Sequence, residues 1–254
     1  MDENPPAEGT RPRRFTTTRW SVVLAAGADS ENGARSALAQ LCQLYWRPIF
    51  AFISRRGFSA MDAQDLTQDF FLTVLEGDFL QRADPERGRF RSLLLKTLQN
   101  FLNDAHDKRR ALKRGGGREI VSWDDWMAEA PSHLSLSKQA LDSATPERLF
   151  DIRWAATVVE RAMARLREEC EARGRRRVFD ALSGCLVKDR GEISYTELAT
   201  NLGVAEADVK RLLHQMRVRY RALLRGEVMR TVESDADVED EIRHLCAVLA
   251  AGAR

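Results

Sequence analysis

The sequence predicts an all-α protein: two small helical domains joined by a long linker, with an extra C-terminal helix. Three observations carry this. Apolar residues recur three and four apart along most of the chain, and there is almost no strand signal. Hydrophobic residues make up 44% and charged residues 31%, the composition of a soluble globular chain and too apolar for a disordered one. Gly (15) and Pro (7) are scarce, which excludes collagen-like and Gly/Pro-rich low-complexity chains. At roughly 150 residues per domain, 254 residues fit two small domains. The expected division is an N-terminal extension over 1–29, a first domain over 30–114, an acidic linker over 115–145, a second domain over 146–226 and a C-terminal extension over 227–254.

Residues 1–14 hold Pro, Gly and charge without periodicity, and no packed element is expected there. A short helix is expected from about Thr18, with Trp20, Val23 and Leu24 on one face. A second helix starts after Ser30 and carries Leu38, Leu41, Leu44 and Tyr45; Pro48 should bend or restart it before Ile49, Phe50 and Ile53. Ser59 caps a third helix, in which Ala63, Leu66, Phe70 and Val74 form the inner face. A turn over 84–88 precedes a long helix over about 89–114, with Phe90, Leu94, Leu98, Phe101 and Leu102 inward and Gly115, Gly116 and Gly117 as its stop. Residues 115–145 lack sustained periodicity. Thr145 and Pro146 start the next helix, striped by Trp154, Val158, Ala162 and Leu166. A helix over about 175–186 turns Val178, Phe179 and Leu182 inward. Ser194 and Glu197 form a capping box for a short helix ending at Leu202 and Gly203. The last two helices run over about 206–224, with Val209, Leu212, Leu213 and Met216 apolar, and over 234–249, with Val238, Ile242, Leu245 and Leu249 in line.

No stretch is long and apolar enough for a membrane span, and the N-terminus has no apolar core after a basic start, so no membrane insertion, no secretory signal and a cytoplasmic location are expected. Cys42, Cys170, Cys185 and Cys246 have wide spacings and read as buried thiols of a reducing compartment. No cofactor or metal is expected.

The net charge of +2 hides a block pattern. Residues 59–81 carry −5, 82–118 carry +7, 119–151 carry −5, 152–178 carry +4, 205–225 carry +4 and 226–254 carry −4. Two of the basic blocks, 82–118 and 205–225, lie on separate segments and suit two contacts with a polyanion. Acidic blocks suit solvent or a basic protein. Asp62, Asp65 and Asp69 share one helix face, where like charges oppose each other and a cationic partner would relieve them. The tail's apolar stripe predicts packing on the second domain, as a cap or as a cover over its basic helix.

A helix, a glycine turn and a basic helix over 194–224 form a helix-turn-helix pattern. Such a helix fits the major groove, its first turns reach base edges, and flanking cations neutralise phosphates. Lys210, Arg211, His214 and Arg217 lie broadly on one face. In the first basic block, Arg89, Arg91 and Lys96 sit near a turn, while Lys108, Arg109 and Arg110 lie at a helix end. Asn100 and Asn103 are poor helix formers, and an outward amide there can bond a base edge.

The run Asp62-Ala63-Gln64-Asp65-Leu66-Thr67-Gln68-Asp69-Phe70-Phe71, then residues 84–91, then 100–110, resembles region 2 of bacterial sigma factors of the extracytoplasmic-function (ECF) group of the sigma-70 family. Residues 203–217 resemble region 4 of the same group. The likeness covers about 30–114 and 150–226, in the same order and without the middle domain. It implies a non-enzymatic transcription initiation factor whose partners are core RNA polymerase and promoter DNA, with an anti-sigma protein as an open further one. It implies that Asp62, Asp65, Gln68 and Asp69 dock on the polymerase. It implies that Arg89, Arg91, Lys96, Asn100, Lys108, Arg109 and Arg110 serve the minus-ten strand. It implies that Lys210, Arg211, His214 and Arg217 serve the minus-thirty-five element. The chain departs from the family pattern at Leu93, at Ala205, where a cap worth about 1 kcal/mol is lost, and at Asp208.

Two other readings compete. A one-component helix-turn-helix regulator would use residues 1–114 as an effector domain, and leaves the acidic face and second basic block unexplained. A helical metal-dependent phosphohydrolase would use His106 and Asp107, but no His precedes residue 106 to complete a metal site. Asp124 and Asp125 look like half of an aspartate-rich diphosphate site without its second motif.

Overall fold

The computed structural model describes residues 31–76, 90–112, 136–232 and 235–252, and every regular element among them is helical. The helices are α1 (Glu31–Arg55), α2 (Ala60–Glu76), α3 (Phe90–Leu112), α4 (Lys138–Ser143), α5 (Pro146–Ala172), α6 (Arg176–Leu182), α7 (Tyr195–Leu202), α8 (Glu206–Met229) and α9 (Val238–Gly252). The helix expected near Thr18, the turn over 84–88 and the glycines at 115–117 lie outside the described residues.

α1 runs unbroken through Pro48, so the restart expected there is not found. An interior proline costs about 3 kcal/mol. Here it lies among Leu44, Tyr45, Ile49, Phe52 and Ile53, each at most 1% exposed, and their burial holds the helix together. Ser59 caps α2 as its sequence position predicts: its Oγ accepts from the Asp62 N–H at 3.1 Å. Ala63, Leu66, Phe70 and Val74 are all buried, and so are Phe90, Leu94, Leu98 and Leu102 of α3. Edge-to-face pairs Phe70–Phe101 (5.5 Å) and Tyr45–Phe90 (5.6 Å) join α2 to α3 and α1 to α3.

α5 is the hub. It has 27 residues, so it is about 40 Å long, and α1, α6, α8 and α9 all pack on it. Its start is built as expected: the Thr145 side chain accepts from the Arg148 N–H at 3.3 Å and Pro146 occupies the first turn. Its first half contributes Phe150, Trp154, Ala155 and Val158 to a core shared with α1, α2, α3 and α9. Its second half contributes Ala162, Met163 and Leu166 to a core shared with α6, α7 and α8. The first core therefore draws on residues from both sides of position 146. Arg47 of α1 and Glu160 of α5 meet at 2.7 Å across this packing. Burial pushes the Glu160 carboxyl up, against the pull of Arg47, and burial lowers the neighbouring Arg153 guanidinium.

Three local expectations are corrected. Residues 138–143, read as linker, form α4, capped by Ser137, whose side chain accepts from the Ala140 N–H at 3.3 Å. Leu141 of α4 is buried against Ala51, Leu149 and Ile152, and the Ser137 N–H donates to the Gly252 carbonyl at 2.8 Å. Six residues are too few to show a helical period. Ser194 occupies the N-cap position of α7, yet its side chain makes no cap hydrogen bond. A capping box forms instead at Asp189 and Glu192, on a single 3-10 turn. Finally, Cys246 is exposed and not buried, while Cys42, Cys170 and Cys185 are half-buried free thiols.

α9 carries Val238 and Leu245 inward as its stripe predicts. It packs on α5, on the C-terminal part of α8 and on α4, and Glu239 pairs with Arg225 of α8. Its reach is thus wider than the second domain on which the tail was expected to sit. Among the described residues no helix is long and apolar enough to cross a membrane.

Candidate functional site

Helical spacing puts the α2 carboxylates opposite the buried stripe. Asp65, Gln68 and Asp69 are exposed and Asp62 is half-exposed, so the four residues expected to meet a partner share the outer face. Met61 and Leu72, 57% and 50% exposed, flank them on that face. The sequence reading passed over both, because a lone Met or Leu at a helix surface carries no charge signal.

α3 divides its basic residues. Lys96, Asn100 and Asn103 are exposed. Arg91 is not: it is 7% exposed, against the outward placement that strand binding requires. Its guanidinium pairs with Asp151 of α5, stands 3.4 Å from the Glu241 carboxylate of α9, and contacts His244 Nε2 at 3.0 Å. The cause is register. Arg91 lies three residues before Leu94 and seven before Leu98, and so falls on the buried stripe. Arg89 lies outside the described residues, as do the side chains of His106, Lys108, Arg109 and Arg110.

The helix-turn-helix is formed by α7, a turn and α8. Gly203 adopts φ 70°, the left-handed conformation that the sharp exit from α7 requires, and its N–H donates to the Ala199 carbonyl at 2.9 Å. Ala205 holds the N-cap position of α8, and its methyl side chain offers no acceptor, so the helix starts without a side-chain cap. Lys210, Arg211 and His214 are exposed on its N-terminal half. Neighbours hold two of them. Lys210 Nζ lies 3.8 Å from Glu206 and 5.1 Å from the Tyr195 ring centroid, and Arg211 lies 2.8 Å from Asp208. Glu206 in turn accepts from the Thr196 hydroxyl at 2.6 Å, which ties α7 to the start of α8.

Arg217 does not join that outward set. It donates to the carbonyls of Cys185 (2.8 Å) and Lys188 (2.5 Å) and so braces the segment before α7. Arg219 is bound to Glu169 at 2.6 Å and 2.5 Å; the bond from Arg219 holds that carboxyl below the usual range. At the far end of α8, Glu227 is 2% exposed and accepts from Arg161 (3.1 Å), Arg165 (2.9 Å) and Arg230 (2.8 Å). This four-residue cluster welds α8 to α5 and fixes how the cationic end of α8 projects.

The chain thus brings Asp65, Gln68 and Asp69 together on α2, and Lys210, Arg211 and His214 together on α8. It separates Arg91 from Lys96 and Asn100, and Arg217 from Lys210. No family model, no curated protein and no solved structure matches the chain.

Proposed function

We propose that the chain is a transcription initiation factor of the ECF sigma type: it binds core RNA polymerase, recognises the minus-ten and minus-thirty-five promoter elements and promotes opening of the duplex. The observation that carries this reading is that one chain presents two separate outward surfaces of opposite sign. The α2 carboxylates suit a cationic protein surface, and the first turns of α8 suit phosphates and base edges. Asp62, Asp65, Gln68 and Asp69 dock on the polymerase. Lys96 and Asn100 face the opened strand, with Arg89, Lys108, Arg109 and Arg110 as further phosphate contacts. Lys210, Arg211 and His214 enter the major groove. The polymerase makes the bonds and this chain supplies position, so it works in the cytoplasm without a cofactor.

A second reading draws on the first core, which joins α1 to α5 and so fixes the helix-turn-helix to the N-terminal half. That packing suits a one-component regulator with an effector domain. The two readings part on one experiment. Mixed with core RNA polymerase in the absence of DNA, a sigma factor co-elutes, and the mixture then starts RNA on a genomic fragment library in a run-off assay. A chain that binds DNA fragments but neither co-elutes nor starts RNA is the regulator.

A further inference from the structure

We propose that α9 is an intramolecular clamp that withholds Arg91 from nucleic acid in the free chain. The inference rests on the promoter-binding reading of α3 above. Three helices meet on this one guanidinium: Phe90–Leu112 supplies Arg91, α5 supplies Asp151 and Trp154, and α9 supplies Glu241 and His244. Lys96, Asn100 and Asn103 on the outer face of α3 are exposed, whereas Arg91 lies on its inner stripe and is buried.

The chemistry makes the cluster a competitor for phosphate. A guanidinium offers the same planar fork to a carboxylate pair as to phosphate oxygens. Asp151 and Glu241 already engage the guanidinium that a phosphate would bind, so the strand and α9 compete for one cation. The two carboxylates differ in what they depend on. Glu241 is 1% exposed and belongs to the last helix of the described chain, which follows α8 through a short connection. The Asp151 side chain is 27% exposed and belongs to the central helix. When α9 departs, Glu241 leaves with it, water reaches the Arg91–Asp151 pair, and the remaining attraction weakens in the higher dielectric. Linkage is reciprocal: whatever loosens α9 strengthens strand binding, and the strand loosens α9 by the same factor.

The test uses the full chain and a short mixed-sequence single-stranded oligodeoxynucleotide, without polymerase. Glu241→Gln keeps the shape of the side chain and removes its charge. It should bind the oligonucleotide about tenfold more tightly than wild type, the equivalent of about 1.4 kcal/mol. Adding Arg91→Ala to it should abolish the gain. In the wild-type chain, the oligonucleotide should speed amide hydrogen exchange over 238–252, a readout that needs no variant to fold. Equal affinity of wild type and Glu241→Gln, with exchange in α9 unchanged or slowed by the oligonucleotide, overturns the clamp and leaves the promoter reading standing if wild type still drives run-off transcription. A chain that neither co-elutes with polymerase nor binds any nucleic acid overturns both.

Discussion

The Arg91 guanidinium lies over the indole of Trp154, 4.6 Å from the ring centroid, and joins α3 to the first half of α5. Trp154 is fully buried and packs in the core shared by α1, α3 and α5. Trp154→Ala removes a large buried ring and the cation–π contact together, and should cost about 3–5 kcal/mol. Trp154→Phe keeps an aromatic face and should cost less than half of that. Urea unfolding followed by far-UV circular dichroism measures both. A loss under about 1 kcal/mol for the alanine variant would mean that α5 does not carry the first core.

Three charged residues show what periodicity reveals and what residue type conceals. Arg91 is in register with Leu94 and Leu98, Glu227 with Tyr220 and Leu223, and Glu241 with Val238 and Leu245. All three are buried. The spacing that located the apolar stripes also located these positions, but charge alone argued for solvent or a ligand. The helices themselves were legible because their stripes are long and their starts, at Ser59 and Thr145, carry caps. α4 was not, since six residues hold less than two turns. Nor was the inward turn of Arg217, because its partners are backbone carbonyls, which no side-chain pattern announces. The outward α2 face and the Lys210, Arg211 and His214 set follow from helical spacing alone.

Glu227 answers three arginines from a site almost without water. Glu227→Gln keeps its volume and removes the charge that Arg161, Arg165 and Arg230 share. Those arginine side chains are 24%, 40% and 39% exposed and can turn toward solvent, so the loss should fall near 2–3 kcal/mol, below the value for a fully enclosed pair. The same urea experiment reads it. Stability unchanged within about 0.5 kcal/mol would rule out this cluster as the weld between α5 and α8.

Two cations of α8 should behave oppositely. Lys210→Ala should weaken binding to duplex promoter DNA and lower the slope of log affinity against log salt by about 1, while leaving the thermal midpoint in place. Arg217→Ala should leave that slope alone and cost about 1–2 kcal/mol of stability, since it gives up two charged hydrogen bonds to carbonyls in a half-exposed setting. Affinity titrated across a salt series, with melting of each variant, separates them. If Arg217→Ala lowers the slope as much as Lys210→Ala does, Arg217 leaves its carbonyls for phosphate.

Asp208→Ala should raise DNA affinity several-fold. It removes a negative charge near the phosphates and releases Arg211, now held at 2.8 Å. On the other surface, Asp65→Arg and Asp69→Arg should weaken polymerase binding by more than tenfold, because each exchanges attraction for repulsion, while the circular dichroism spectrum stays unchanged. Fluorescence titration with core polymerase measures the second effect. Unaltered polymerase affinity in both arginine variants would remove the α2 face from the docking surface.

Tyr220 supplies a pH dependence with a definite sign. Burial on the inner face of α8, in the second core, pushes its phenol up to about 12 from a reference of 10.0, with nearby Cys246 adding to the shift. Between these values the folded chain keeps the proton and the unfolded chain releases it. The unfolded state then binds fewer protons, so stability falls as pH rises through this window, by about 1.4 kcal/mol per pH unit from this group. Below pH 10 the group contributes no slope. Tyr220→Phe keeps the ring and removes the proton, so it should flatten the alkaline limb of the stability curve while leaving neutral stability within about 1 kcal/mol of wild type. Urea midpoints of the two chains at a series of pH values from neutral to strongly alkaline check it, and parallel alkaline limbs would place the Tyr220 hydroxyl in water.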